Sequence, residues 1–341
     1  MSGKLLSSCM LILSATASAQ RPAAPESAQG APAITIDSTE EQIKSAVAAV
    51  RVGKKLTPKK WPNNARVVVC FTVDVDNETL MRANPLPGPV STGEYGATTA
   101  IPRILAVLDR EQVPATFFMP AMSAILHPEM IPAIQKSHRN EIGVHGWVHE
   151  SWPRIADAAV EARLLNQSID YLTKVTGKRP VGVRAPGSDL SLHSLDLLKK
   201  AGFLYDSSLM AMDEVYEINS NGHPTGMIEI PVSNVLNDFK YYGGDTSGSL
   251  PSPDGLFQIY KGEFDKAYQE GSMVNVMLHP HVSGHRSRIA QVEKFISYMK
   301  SKQGVWFATM EQVATYVKQN SGPGTQQYTS EELDLLGGPK Q

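Results

Sequence analysis

The stretch RVVVCFTVDVDNET (residues 66–79) decides how the rest of the chain is read. Its first half is a run of Val, Cys and Phe of the kind that forms a strand buried on both faces. Its end carries two carboxylates, Asp74 and Asp76, two residues apart. Alternate side chains of a strand share a face, which groups Asp74 and Asp76 with Thr72 and Cys70. Burying unpaired charge is costly. Two carboxylates this close also repel, and one pKa rises unless a cation lies beside them. The rest of the chain has to supply the compensation.

Working outward, β-type apolar runs recur at 67–75, 115–119, 142–147, 181–185, 203–206, 228–232, 274–278 and 305–308. Several gaps between them carry helical patterns, among them AIPRILAVLDREQ, DAAVEARLLNQSIDYLTKVTG, SLHSLDLLKKAG and RIAQVEKFISYMKSKQG. Strands alternating with helices predict a parallel sheet. Seven or eight such units in about 250 residues predict an α/β fold closed into a single distorted (β/α) barrel. The polar residues keep phase with this rhythm. Asp74 and Asp76 end the first run, His145 and His149 follow the third, Arg184 ends the fourth, Asp206 the fifth and His279 the seventh. In a barrel those strand ends converge on one face, where sites are built.

In EIGVHGWVHES, His145 and His149 are four apart, so one helical turn would bring both imidazoles to one side. An H-x-x-x-H pair alone is a weak signal. Set beside a D-x-D at another strand end, it suits a catalytic zinc held by a carboxylate and two imidazoles, with a position left for water. A metal lowers the pKa of its water and polarises a carbonyl. A carboxylate not engaged by the metal can take the water's proton, and an imidazole can protonate the departing nitrogen. Arg184 could hold that carboxylate ionised, or form a structural ion pair; His279 sits where an acid is useful, or is a core histidine.

At these residues the chain resembles the polysaccharide deacetylase family, also called the NodB-homology group or carbohydrate esterase family four. The resemblance covers residues 66–316. TVDVD matches the first motif, HGWVH the second, RAPG the third, YDSS more loosely the fourth, and MLHP the last. It implies a NodB-like distorted barrel, with Asp74 as base and one divalent ion, zinc before cobalt or nickel, bound by Asp76, His145 and His149. It further implies His279 as acid, Arg184 orienting Asp74, and Asp206 orienting His279. The reaction implied is hydrolysis of a non-peptide amide, N-deacetylation of an amino sugar in polysaccharide or peptidoglycan.

The departures bear on substrate. Sugar-active members usually carry adjacent acids where this chain has D-V-D, a Ser or Thr where Gly146 stands, and an aromatic where Gly187 stands. These variants, with STGEYG (91–96), IEIPVS (228–233) and HPHVSGHRSR (279–288), are similar to a sub-branch containing peptidoglycan deacetylases together with cyclic-imide and ureide hydrolases. Its last motif usually continues G-R-x-x-R; here His285 replaces the first arginine and Arg288 keeps the last, at a pocket rim where substrate is selected. The alternative substrate is therefore a small cyclic amide, imide or ureide. An inactive glycan-binding relative would have lost at least one of Asp74, Asp76, His145, His149 and His279, and none is lost.

Trp147 and Trp152 flank the metal histidines, and Trp147 is the candidate sugar platform. Residues 234–262, a Gly/Ser/Pro-rich insertion, suit either a lid over the site or a homo-oligomer contact, with Asp238 as a candidate substrate contact. The 341-residue chain has a formal charge of −2, without the basic surplus that nucleic acid or anionic membrane would call for.

The first twenty residues, MSGKLLSSCMLILSATASAQ, read as a signal peptide: Lys4, an apolar stretch too short to span a bilayer, then Ala17 and Ala19 at cleavage-site spacing. Cleavage after Ala19 and export to a periplasm or beyond are expected, with no membrane anchor in the mature chain. Cys9 leaves with the leader, and Cys70 stays alone in a buried strand, so no intramolecular disulfide is available. The expected order is signal peptide 1–19, linker 20–37, helical lead-in 38–64, catalytic domain 65–317 and loose tail 318–341.

Overall fold

A computed structural model describes residues 33–83, 85–243 and 251–320. The expected leader, most of the linker and nearly all of the tail lie outside these residues. Among the described residues ten strands occur in chain order: β1 (Arg51–Lys55), β2 (Val67–Asp74), β3 (Ala115–Met119), β4 (Glu141–Val144) and β5 (Gly182–Val183). Then come β6 (Tyr205–Asp206), β7 (Tyr216–Ser220), β8 (His223–Glu229), β9 (Met273–Leu278) and β10 (Val305–Phe307). All belong to one sheet, ordered β1-β7-β8-β6-β5-β4-β3-β2-β10, with β9 on the other edge of β2.

Strand β2 is the hub. Val68–Val73 pair in parallel with β9, while Val67–Val69 pair with β10 and Phe71–Asp74 with β3. The lower and upper halves of one edge thus serve different neighbours. Every residue of β2 is buried, as a strand covered on both faces requires. Its alternation divides the core. Val67, Val69, Phe71 and Val73 pack against the helical layer, while Val68 and Cys70 join Phe118, Tyr205 and Ile228 in a second cluster. Asp74 continues the row of Cys70 and Thr72.

Seven parallel strands, β2, β3, β4, β5, β6, β8 and β9, form a ring. It is closed by a parallel bridge between Asn237, after β8, and Met277 of β9. Helices cover the outside. Helix Ile101–Arg110 buries Ile101, Ile104, Leu105, Val107 and Leu108; each such side chain contributes about 1.5–3 kcal/mol of hydrophobic stabilisation. Helix Ala158–Thr176 starts at an Asp157 cap and stops at left-handed Gly177. Helix Pro253–Glu270 likewise runs from Ser252 to Gly271. Among the described residues no helix is long and apolar enough to cross a membrane.

Three features depart from the sequence reading. The lead-in is not wholly helical: Thr39 caps helix Glu40–Ala46, but residues 51–55 form β1, antiparallel to β7. Strand β7 pairs antiparallel with β8 across a hairpin turn at Asn221 and Gly222, both at positive φ, which the Asn-Gly dipeptide encodes. Of the insertion 234–262, residues 234–243 and 251–262 are described, and they hold a short helix Phe239–Tyr242 and then the first half of helix Pro253–Glu270.

Candidate active site

The acids at the end of β2 diverge in backbone before they converge in space. Asp74 is the last strand residue, and Asp76 (φ −66°, ψ −44°) already begins the 3-10 turn Asn77–Met81. Both carboxylates face one cleft of about 250 Å³, lined also by Leu80, His145, His149, Gly187, Met210, Phe239, Lys240 and His279.

Asp74 is compensated by Arg184. This guanidinium is fully buried, and Nη1 donates to Asp74 Oδ1 at 2.5 Å and to Thr72 Oγ1 at 3.0 Å. Nε and Nη2 donate to the carbonyl and hydroxyl of Ser207 at 2.8 and 2.9 Å, and the group lies 4.2 Å from the centroid of the Phe118 ring. A guanidinium bonded on all sides has one pose, so the carboxylate it holds has one pose too.

Asp76, His145 and His149 bring one oxygen and two nitrogens within 4.8 Å of one another. Asp76 Oδ1 lies 3.4 Å from His145 Nε2 and 3.6 Å from His149 Nε2, and is a buried oxygen without a hydrogen bond among the described residues. The Nδ1 of His145 is bonded to the Arg184 carbonyl at 2.7 Å, which turns Nε2 toward the cleft. An orphaned buried carboxylate oxygen facing two such nitrogens fits a divalent cation. Burial alone would push the Asp76 carboxyl up, but His149, His145 and His279 together hold it well below the usual range.

No helix brings the histidines together. Residues 145–150 form an irregular turn in which Gly146 (φ +78°) and His149 (φ +56°) take left-handed conformations. Glu150 holds the turn: its carboxylate accepts from the backbone N–H of Trp147 and Val148 and from the Trp152 indole. A Cβ on Gly146 would stand 2.8 Å from Pro186 Cγ and 3.2 Å from both Glu150 carboxylate oxygens. This turn has no room for a Ser or Thr in place of Gly146.

His279 faces the trio from β9. Nε2 lies 3.9 Å from Asp74 Oδ2 and 3.8 Å from Asp76 Oδ2. Its Nδ1 is bonded to Asp238 Oδ1 at 2.7 Å, and Asp238 Oδ2 accepts from the His279 N–H and the Ser283 hydroxyl. Burial would lower the imidazole pKa, but Asp238 and then Asp76 and Asp74 raise it to about 9.

Five residues stand elsewhere than the sequence suggests. Asp206 does not orient His279: its Oδ1 accepts from Ser208, and its carboxyl neighbours Glu229 across the β6–β8 pairing. Asp238 is not a substrate contact, being fully buried behind His279, and it does the orienting expected of Asp206. Trp147 packs its ring edge-on against Tyr171 at 6.1 Å and does not line the cleft. Arg288 stacks on Tyr242 at 4.1 Å and donates to the Val282 carbonyl, beside a separate apolar pocket. His285 stacks on Tyr95 and is likewise absent from the lining. Conversely, the lining residues Leu80, Met210, Phe239 and Lys240, and Glu150 beneath them, were not singled out by the sequence; for Glu150 the signal was an acid directly after the second histidine.

Comparisons with known proteins agree on kinship. The family model for polysaccharide deacetylase matches residues 89–205. A peptidoglycan deacetylase of Helicobacter pylori is 27% identical over 287 residues, covering 74% of this chain and 97% of the relative. A protein of Mycobacterium smegmatis, whose crystal structure bears the name polysaccharide deacetylase, is 34% identical with a TM-score of 0.73, covering 82% of this chain and all of that one (100%). The structure of Puue allantoinase is 27% identical with a TM-score of 0.68, covering 80% and 95% respectively. With a relative above the identity at which fold and family go together aligned along its whole length, this chain belongs to the polysaccharide deacetylase family.

Proposed function

We propose that the chain removes acetyl from an amino sugar of wall polysaccharide or peptidoglycan, using one divalent ion at Asp76, His145 and His149. Membership of the family makes it a hydrolase of amide C–N bonds. One observation carries the proposal: Asp74 and His279 face the Asp76–His145–His149 trio from different strands within a single cleft. When bound, the ion polarises the amide carbonyl and lowers the pKa of water. Asp74, held by Arg184, takes the proton of the attacking water as general base. His279, kept protonated at neutral pH by Asp238, delivers a proton to the departing nitrogen. Phe239 and Met210 supply apolar wall to the cleft.

Zinc suits a carboxylate and two imidazoles, with cobalt or nickel as substitutes. The leader-like first nineteen residues support export, where a wall polymer would be met.

The second reading is a small cyclic amide, imide or ureide. Two observations favour it: none of the four Trp lines the cleft, and an allantoinase is among the structural relatives. The decisive assay measures acetate release by zinc-loaded protein from N-acetylglucosamine oligomers and peptidoglycan, with Asp74→Asn as control, alongside ring opening of hydantoin and allantoin. Asp74-dependent acetate release supports the first reading. Ring opening without acetate release replaces it with the second.

A further inference from the structure

We propose that Asp206 and Glu229 are a proton-sharing carboxyl pair that positions Arg184, and through it Asp74, for the reaction. The two acids are neighbours on β6 and β8, and both are fully buried. Asp206 Oδ1 accepts from Ser208 Oγ at 2.7 Å, and Glu229 Oε1 accepts from the Leu209 N–H at 2.9 Å. The other two oxygens, Asp206 Oδ2 and Glu229 Oε2, are buried and make no hydrogen bond with any other described residue, while the two carboxyls lie within reach of each other. One proton placed between them satisfies both orphans; with none, two buried anions would face each other.

The pair anchors both ends of the segment 207–209, and Ser207 lies inside it. Ser207 receives two of the guanidinium's N–H groups, and Ser208 Oγ accepts from the Ala185 N–H at 2.8 Å beside Arg184. Moving the pair therefore moves the acceptors that aim Arg184 at Asp74. The charged and titratable groups packed around it agree. Burial raises the Asp206 carboxyl although Arg184, the nearby cation, opposes it, while Tyr216 from β7 stays neutral. Burial drives the Glu229 carboxyl upward, as does the neighbouring Asp206.

The inference rests on Asp74 as the base, and the test separates the two. Infrared spectra of the wild-type protein at neutral pH should show the carbonyl band of a buried protonated carboxyl that disappears in Glu229→Gln and in Asp206→Asn. Glu229→Leu should lose ~10²-fold in kcat at unchanged KM and metal content, since a small misplacement of a catalytic group has that effect. Glu229→Gln, whose amide donates to Asp206 and whose oxygen accepts from Leu209, should recover most of that loss. Absence of the band, a Gln variant as slow as the Leu variant, or a loss confined to KM would overturn the pair. Should Glu229→Leu not fold, the band and the Gln variant decide alone. An active Asp74→Asn with the band intact would instead overturn the base.

Discussion

Placing a single methyl group on Gly146 tests the account of the histidine turn. The residue sits at φ +78°, where an L-residue costs about 1–2 kcal/mol. The new Cβ would press on Pro186 at 2.8 Å and on the Glu150 carboxylate at 3.2 Å. Pro186 follows Arg184 by two residues, and Glu150 already ties down Trp147, Val148 and Trp152, so neither is free to swing away. Overpacking of this kind costs about 1–3 kcal/mol. Gly146→Ala should therefore strain the loaded turn by about 2–5 kcal/mol. The turn can relax only by moving His145 or His149, so the cost divides between stability and metal affinity, at about a factor of ten in affinity per 1.4 kcal/mol. Thermal melts with and without zinc, and zinc titration against a chelating dye, read the two parts. Each kcal/mol retained as strain should lower Tm by about 2–4 °C. Wild-type Tm together with wild-type zinc affinity would refute the reasoning.

Further outcomes follow from the same geometry. Asp238→Asn removes the largest influence raising the His279 pKa, so the alkaline limb of kcat should move down from about 9 toward the ordinary histidine value. At pH 8 that lowers the protonated fraction by up to ~30-fold, and an unmoved limb would remove His279 as the acid. His149→Ala should abolish stoichiometric metal binding, measured by elemental analysis after dialysis; full occupancy would exclude it as a ligand. Asp74→Asn should keep the metal and lose turnover, in contrast to His149→Ala. Glu150→Ala leaves three N–H groups without their acceptor and should lower Tm, at about 1–3 kcal/mol for a buried unsatisfied donor; an unchanged Tm would show that the turn is held otherwise.

The central strand and the phase of its polar residues were legible because both follow from local pattern: apolar runs, alternation, and acids or histidines at run ends. Run 115–119 coincides with β3, and Asp74 falls at the end of β2. What failed was partner choice across the fold. Asp206 and Asp238 are both acids near strand ends, and only the path of the chain after β8 decides which one reaches His279. Trp147 and Arg288 are close in sequence to site residues, yet their side chains turn toward Tyr171 and Tyr242. Antiparallel β1 was hidden for a different reason. Its five residues, RVGKK, are half polar, and it is a strand only because β7 offers it an edge. The β7–β8 hairpin, by contrast, is written locally as the dipeptide Asn221-Gly222.

The bridge that closes the ring has a bearing on how activity is lost. Asn237 meets Met277 at this joint, and the residues immediately following each side of it are Asp238 and, two further on, His279. The seam is a single residue pair, held by the Met277 N–H to the Leu236 carbonyl and the Asp238 N–H to the Met277 carbonyl. Thermal opening begins where few backbone bonds must break. Here it would uncouple the acid from its partner while the helix-covered strands stay intact. Heat inactivation should thus precede unfolding of the core, with the proton donor as the first part of the catalyst to fail.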